Sequence, residues 1–530
     1  MQFEIPRIHP ILNRSFRQTL MSKAKRTFLS AVWNHTGRTA EYVVMYVTSV
    51  LIARGLGVEE NGRFVGLFSL TQLLLVACSL GLETSLNKFI PQLREADSEP
   101  HVRTILRRVL LLRLAAFAAT VAACVAVMET VSLPFLDTNR HVLARVLAFT
   151  GLRSIVPLFA MVLTARLQTS LTASITFAVR LLELGGVFLL FTFGFTVENL
   201  FLVFFCTSAA HVAGYMLFSR SSLFGAAKLV DLRPIFTFGG VFWMNTLVDF
   251  ILGRQGDVLL LANIHPHRAQ AGLYDVAYSL AQLASMAMTV GLSGVSFATF
   301  ARLAVTEQGV MDRFYAFSIR IISLLTIPLY AFLIAHAEGV LRLLYSPNYN
   351  AAASLLVGIL LFRLLSRLFG GPENAEYVLS RGKVGMVVGV GMVAATINLV
   401  LNLLLIPTMG AAGSVIAGGC ANVTVNALGA MAVFSMSPNK IQFRFWLKLS
   451  LLSLVAAFAV RAALPGESPT VLVLNASIYF AFLLLGLFFI KPLTEADADW
   501  LARIGGGVQR VVVWFTPPKS NIVETKAPAL

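Results

Sequence analysis

Apolar blocks of about 20 residues, separated by short polar connections, run through this chain from residue 34 to residue 490. A block of that length spans a hydrocarbon core of ~30 Å at about 1.5 Å per residue. Within such a core no water satisfies the backbone, so each block must pair its own N–H and C=O groups, as an α-helix does. The expected fold class is an all-α integral membrane protein. Spans are read at 34–54, 64–82, 107–128, 141–163, 171–194, 197–219, 235–262, 272–298, 315–336, 350–370, 384–406, 411–434, 446–464 and 470–490, fourteen in all. Composition agrees, because 57% of residues are hydrophobic and 13% charged, whereas soluble domains run to about half and a quarter.

The chain also repeats. Shifted by 210 positions, GRFVGLFSLTQL from Gly62 lies over GLYDVAYSLAQL from Gly272, matching Gly62 with Gly272, Ser69 with Ser279 and Gln72 with Gln282. Without a gap, Gly81-Leu82 then lies over Gly291-Leu292. Leu and Ala coincide cheaply in apolar sequence; Gly and Gln do not. A second unit is therefore expected to open at 253–283. The shift covers six spans, which preserves orientation, so the two units are parallel copies about an axis along the membrane normal.

Charge placement supports a topology. The 42 Lys and Arg exceed the 26 Asp and Glu, but they follow the membrane rather than forming a nucleic-acid surface, and no nucleic-acid partner is expected. With the N-terminus placed in the cytoplasm, 27 basic residues fall on inner segments and 6 (Arg54, Arg63, Arg140, Arg268, Arg342, Arg461) on outer loops. This is the positive-inside pattern, with both termini cytoplasmic. The organisation read is a basic arm (1–33), a six-helix bundle (34–219), a linker (220–234), a second six-helix bundle (235–434), an extra helix pair (435–490) and a tail (491–530). Residues 1–29 lack the apolar core of a cleavable signal. The four cysteines are isolated in apolar blocks and lack the spacing of a metal or redox site. His265 and His267, flanking Pro266, do not make a metal site either.

Charges inside the spans are the candidate functional groups. Each costs about 2.5–3.5 kcal/mol near mid-bilayer, so such residues face a bundle interior or a wet cavity. Arg113, Arg320 and Arg367 lie close enough to span ends to snorkel, and Arg145 is close to the other end. Arg153, Arg180, Arg254 and Arg363 lie deeper, and the 210-residue shift makes Arg153 and Arg363 equivalents. Arg38 with Glu41, Arg180 with Glu183, and Arg254 with Asp257 are three apart, so each could form a local ion pair or serve substrate and gating. Arg363 and Arg367 stand one turn apart with no acid within a turn. Guanidinium forks suit phosphate oxygens. Arg153 and Arg363 are therefore the expected core of an anion site, with Arg180, Arg254 and Arg367 behind them. Asp257, Asp249, Glu41 and Glu183 are the coupling or gating candidates. His211 and His336 are expected to make interhelical hydrogen bonds, and Asn398 and Asn402, one turn apart, to bond across helices.

Three stretches together carry a family resemblance: Val50 to Leu93, Gly256 to Leu283, and Leu343 through INLVLNLLLIPTMGAAGSVIAGG at Ile397 to Gly419. The Asn-x3-Ile-Pro-x2-Gly-Ala-x-Gly pattern at Asn402–Gly413 is the most specific. In it Pro407 stops a helix, Gly410 permits a tight turn, and the small residues after it allow close packing. The chain resembles the polysaccharide transporter family, the oligosaccharide-lipid flippases of the superfamily that includes MATE exporters and the lipid II flippase. Fourteen spans rather than twelve point toward the lipid II flippase group, but its DAF-type stretch is absent where this chain reads NGRFVGLF.

The resemblance implies two six-helix bundles around a central cavity, with the last two helices outside them, and alternating access. It implies a flippase moving an undecaprenyl-diphosphate-linked oligosaccharide from the inner to the outer leaflet of a bacterial inner membrane, for O-antigen, capsule or exopolysaccharide synthesis. It places Asp257 where such flippases carry an Asp in span 7. The expected partners are that substrate, membrane lipids, and polysaccharide polymerase and export machinery; a monomer without cofactor or metal is expected. The alternatives are a lipid II flippase and a cation-coupled exporter of small amphiphiles, which would lean on Asp249, Asp257 and Glu41. A membrane sugar ligase or polymerase would need a long outer loop, and none is read here.

Overall fold

A single helix, Arg14–Ser79, carries the chain through the first two expected spans and is bent at Gly57. That residue sits at φ 74°, in the left-handed region where a Cβ is disfavoured, so glycine takes the bend at little cost. The computed structural model describes residues 14–95, 99–130, 140–166, 168–223, 231–289, 292–306, 308–495, 497, 498, 515 and 516. The helices are α1 (Arg14–Ser79), α2 (Leu82–Glu95), α3 (Glu99–Thr130), α4 (Arg140–Ala165), α5 (Thr169–Phe193), α6 (Val197–Leu223), α7 (Arg233–Leu252), α8 (Arg254–Ile264) and α9 (Ala269–Thr289). They continue as α10 (Leu292–Thr306), α11 (Gln308–Ala335), α12 (Ala337–Leu344), α13 (Ala352–Ser366), α14 (Pro372–Ser380), α15 (Val384–Met409), α16 (Ala411–Phe434), α17 (Phe443–Ala463) and α18 (Pro469–Ile490). Among the described residues there is no strand.

Among the described residues twelve segments are long and apolar enough to cross a membrane, against the fourteen expected. The difference falls in two places. Ala40–Ser79 counts once, although its 40 residues form two arms about Gly57; at ~1.5 Å per residue they would reach about twice the hydrocarbon thickness. The span expected at 272–298 is divided between α9 and α10. The span expected at 235–262 is likewise broken, at Gly253, into α7 and α8. Large apolar side chains such as Phe193, Leu404, Met431 and Phe489 stay exposed on the helices, as a lipid-facing surface requires.

The repeat is visible in the elements. Moved by 210 positions, α5 and α6 fall within about five residues of α15 and α16, and Arg153 on α4 falls on Arg363 of α13. At the end near Gly62, one apolar core is shared by the two halves, joining Phe64, Leu67 and Phe201 to Leu261, Tyr274, Tyr345 and Leu356. Tyr349 Oη donates to the Ala53 carbonyl at 2.9 Å, and Arg54 Nε to that of Leu344 at 2.7 Å, tying the halves at this end. The opposite end has separate cores, one around Leu86, Ile105 and Leu158, the other around Phe300, Tyr315 and Val433. There α7 of the second half crosses to the first: Ile235 joins the Leu86 core, its carbonyl accepts from Ser85 Oγ at 2.8 Å, and the Phe238 ring centre lies 6.0 Å from that of Phe89. Helices α17 and α18 dock on the second half, where Trp446 Nε1 donates to Leu364 O at 2.9 Å and Tyr479 Oη to Pro328 O at 2.8 Å.

Candidate functional site

The face of α9 formed by Tyr274, Tyr278, Ala281, Gln282 and Ser285 repeats at helical spacing, and α13 brings Arg363 against it. Arg363 Nη1 donates to the Ala281 carbonyl at 2.7 Å and to Ser285 Oγ at 2.5 Å, and Nη2 donates to Gln282 Oε1 at 3.0 Å. Its guanidinium carbon lies 5.1 Å from the centre of the Tyr278 ring. Every partner is neutral, and among the described residues Arg363 pairs with no carboxylate. The group lines a cavity of about 420 Å³ with Asn374, Asn422 and Asn426. A fixed cation whose charge is left over, beside a cavity of that size with amide groups in a largely apolar wall, is suited to an anion carried on an amphiphile.

Arg367, expected to stand beside it without an acid, is instead neutralised. Its Nη2 lies 3.2 Å from Glu373 Oε1, with both side chains buried, and it also donates to Ser323 Oγ at 3.1 Å. The chain reverses at Gly370 (φ 98°) and Gly371, which brings the first turn of α14 back over Arg367. Six positions and a Gly-Gly-Pro turn separate the pair, so helical spacing did not reveal it. The two other arginines expected to snorkel are also paired: Arg113, itself buried, bonds Glu83, and Arg320 pairs with Asp497 at 2.6 Å. Arg145 donates to the carbonyl of Glu198 at 3.0 Å.

Asp257 is fully buried in the first turn of α8. It accepts from Tyr274 Oη at 2.5 Å, Asn398 Nδ2 at 2.9 Å and Asn402 Nδ2 at 2.8 Å. The Asn pair on α15 thus bonds across helices as expected. The expected pairing of Arg254 with Asp257 does not form. Arg254 turns to α9, where it bonds Ser279 and lies 3.3 Å from Asp275, while Asp257 turns to α15. A smaller cavity of about 140 Å³, lined by Tyr274, Tyr278, Gly418 and Arg363, lies between the carboxylate's partner and the cavity arginine. Tyr274 and Tyr278 follow one another along α9 with ring centres 5.9 Å apart and planes tilted by 45°, so one helix face touches both groups.

In the first half Arg180 bonds Glu183 at 2.8 Å, as its spacing predicts, and also lies 3.7 Å from Glu41. Arg153, half-buried, shares the electrostatic surroundings of Arg180, Glu183 and Glu41, and makes no hydrogen bond or ion pair among the described residues. Two cations therefore meet two carboxylates here, whereas Arg363 has none. The side chain of Arg38, the partner expected for Glu41, lies outside the described residues. Asp249 is exposed on α7, accepts from Asn245 Nδ2 at 3.0 Å and stands apart from both groups. The histidines differ from expectation. His211 stacks on Tyr215 with neither ring nitrogen partnered among the described residues, and His336 stacks on Phe332 and bonds that residue's carbonyl within its own turn. Among the described residues no cluster of His, Cys, Asp or Glu could hold a metal ion.

The sequence reading missed Tyr278, Ser285 and Asp275, and gave Gln282 no role although the repeat had singled it out.

An all-helical multi-pass chain, built of two repeated halves and holding unpaired charge between its helices, has the architecture of a membrane transporter rather than an enzyme. Solved structures agree on the fold. A lipid II flippase MurJ in an inward closed conformation matches with TM-score 0.67 at 13% identity, over 88% of this chain and 98% of that one. An inward-facing multidrug resistance MATE family transporter of the MOP superfamily matches with TM-score 0.62 at 12% identity, over 74% and 94%. A MOP superfamily transporter from Pyrococcus furiosus matches with TM-score 0.53 at 14% identity, over 77% and 94%. No curated protein matches the sequence. The family model described as polysaccharide biosynthesis protein matches residues 50–354, more than half of the chain. The chain belongs to that family.

Proposed function

We propose that this protein flips a polyprenyl-diphosphate-linked oligosaccharide from the inner to the outer leaflet of the bacterial inner membrane, by alternating access, for surface polysaccharide synthesis. The observation that carries the reading is Arg363, a guanidinium held by neutral partners beside a cavity of about 420 Å³. A diphosphate supplies the anion such a fork lacks, and its two phosphates can be met bidentately. Arg153 is the equivalent cation from the first half; Arg180, Arg254 and Arg367 act behind these two, holding the walls through their ion pairs. The basic residues on alternate connections favour cytoplasmic termini, which makes the Gly62 end the outer one and the end where α7 meets α2 the one that opens to receive substrate from the inner leaflet.

Asp257 takes the coupling role. Its carboxylate is surrounded by neutral donors, with no cation among the described residues to offset its charge. A proton or a monovalent cation would offset it, and α9 would carry the change to Arg363 through Tyr274 and Tyr278. Glu41 and Glu183 gate the first half through Arg180, and Asp249 is a secondary candidate on α7.

Deletion of the gene, complemented with Arg153→Ala or Arg363→Ala, tests the assignment. The expected result is loss of surface polysaccharide with accumulation of its lipid-linked intermediate at normal protein levels. Unchanged export from both variants would overturn it. Accumulation of lipid II instead would transfer the reading to a lipid II flippase, which the likeness to the MurJ fold favours as the second reading.

A further inference from the structure

Helices α17 and α18 carry a basic pocket that transport through the central cavity does not use. We infer that it binds an anionic phospholipid, with the phosphate in the pocket and an acyl chain in the cleft between the two helices. The pocket, about 200 Å³, lies where α17 begins and α18 ends. Arg444 and Lys448, one turn apart on α17, and Lys491, the residue that closes α18, form its charged rim. Leu449, Leu487 and Ile490 form its apolar wall. Among the described residues no acid lines it, and none of the three cations has an ion-pair partner.

Like charges stacked one turn apart repel, and a third cation across the cleft adds to the repulsion. The fold nevertheless fixes them there. Lys491 is held at φ 48°, which side chains rarely adopt, and its N–H bonds the Leu487 carbonyl. Just beyond it, Asp497 accepts from the Thr494 backbone and hydroxyl, both at 2.7 Å, and pairs with Arg320 of α11 at 2.6 Å. Arg320 also donates to Gln442 Oε1 at 3.2 Å, immediately before α17. Both lips of the pocket are thereby anchored to α11.

The pocket's chemistry matches an amphiphile. Basic pockets between transmembrane helices at the membrane interface receive lipid phosphates. Below the rim, Leu484, Leu485 and Phe488 of α18 and Leu451 of α17 present an exposed apolar surface for the chain. A bound lipid would bridge the charged lips and hold the helix pair against α11.

Native mass spectrometry of the full chain in detergent, titrated with phosphatidylglycerol or phosphatidylcholine, tests this. The unaltered chain should retain phosphatidylglycerol preferentially. Arg444→Gln with Lys448→Gln should weaken that binding by about 30-fold, the loss of two surface-type charge contacts, and leave phosphatidylcholine binding unchanged. Arg444→Lys with Lys448→Arg should restore it. Equal binding of the two lipids by the unaltered chain would overturn the proposal without recourse to variants, as would a preference that survives the double substitution. Displacement of phosphatidylglycerol by millimolar glycerol phosphate or inorganic phosphate would assign the site to free phosphate instead, and would equally overturn it.

Discussion

Gly62 and Gly272, equivalents under the 210-residue shift, pack backbone against backbone where the two halves close. A Cβ on Gly272 would lie 2.5 Å from the Val58 carbonyl oxygen and 2.9 Å from the Gly62 nitrogen, and one on Gly62 would collide with the Arg268 carbonyl. Backbone cannot yield as a flexible side chain does, and overpacking costs about 1–3 kcal/mol. Gly272→Leu should therefore reduce the closed population by roughly tenfold or more. Ser69, fully buried and bonded to Gln255 across the junction at 2.7 Å, reports the change. In a chain lacking its four native cysteines, Ser69→Cys should resist a membrane-impermeant thiol reagent and should react once Gly272→Leu is added. Equal labelling in both backgrounds would show that the halves do not close there.

The ion pair of Arg367 and Glu373 predicts a division between stability and transport. Both side chains are buried, 3.2 Å apart, so Arg367→Ala would leave a carboxylate uncompensated at a cost of about 3–5 kcal/mol. Thermal unfolding in detergent should show a large drop for this variant and recovery when Glu373→Leu is combined with Arg367→Met. Arg363→Ala strands no acid and should unfold near the unaltered temperature. Similar losses from Arg363→Ala and Arg367→Ala would contradict the distinction.

What the sequence disclosed depended on how far apart the partners are along the chain. Apolar block length determines the all-helical membrane class, and the repeat marked Gly62 and Gly272 as equivalents, though not as the place where the halves touch. Arg180 and Glu183, one turn apart, pair as spacing predicts. Spacing failed wherever the backbone breaks. The start of α8 at Gly253 turns Arg254 away from Asp257, and the reversal at Gly370 returns Glu373 to Arg367. The pairs of Arg113 and Arg320 reach acids 30 and 177 positions away, beyond any local rule. Tyr278 and Ser285 were invisible for another reason. Neutral residues on an apolar helix carry no signal until Arg363 is seen against them.

Asp257→Asn should separate coupling from folding. The amide keeps an acceptor for Asn398 and Asn402, and the change at Tyr274 costs on the order of 1–3 kcal/mol. The variant should therefore fold but lose its dependence on an ion gradient. In proteoliposomes, substrate flipping by the unaltered chain should fall when the proton or sodium gradient is collapsed, whereas the residual rate of Asp257→Asn should not change. A variant rate that still follows either gradient would place coupling elsewhere, with Asp249 the next residue to test.

The geometry around Arg363 predicts that charge alone will not replace it. Its fork meets Ala281, Gln282 and Ser285 together, and its plane approaches the Tyr278 ring. A lysine at this position is a point charge on a flexible stem and cannot hold that arrangement while also presenting two parallel donors to a diphosphate. Hydrogen bonds to a charged group contribute about 1.5–3 kcal/mol each, so Arg363→Lys should lower flipping by about tenfold or more, and Arg363→Ala further. Tyr278→Phe keeps the ring and should remain near normal. Tyr278→Leu removes a cation–π contact of about 0.5–2 kcal/mol and should fall between. Flipping rates in proteoliposomes, at matched protein content, would order the series. If Arg363→Lys flips as fast as the unaltered chain, the site recognises charge without shape, and the fork of Arg363 has no part in holding the diphosphate.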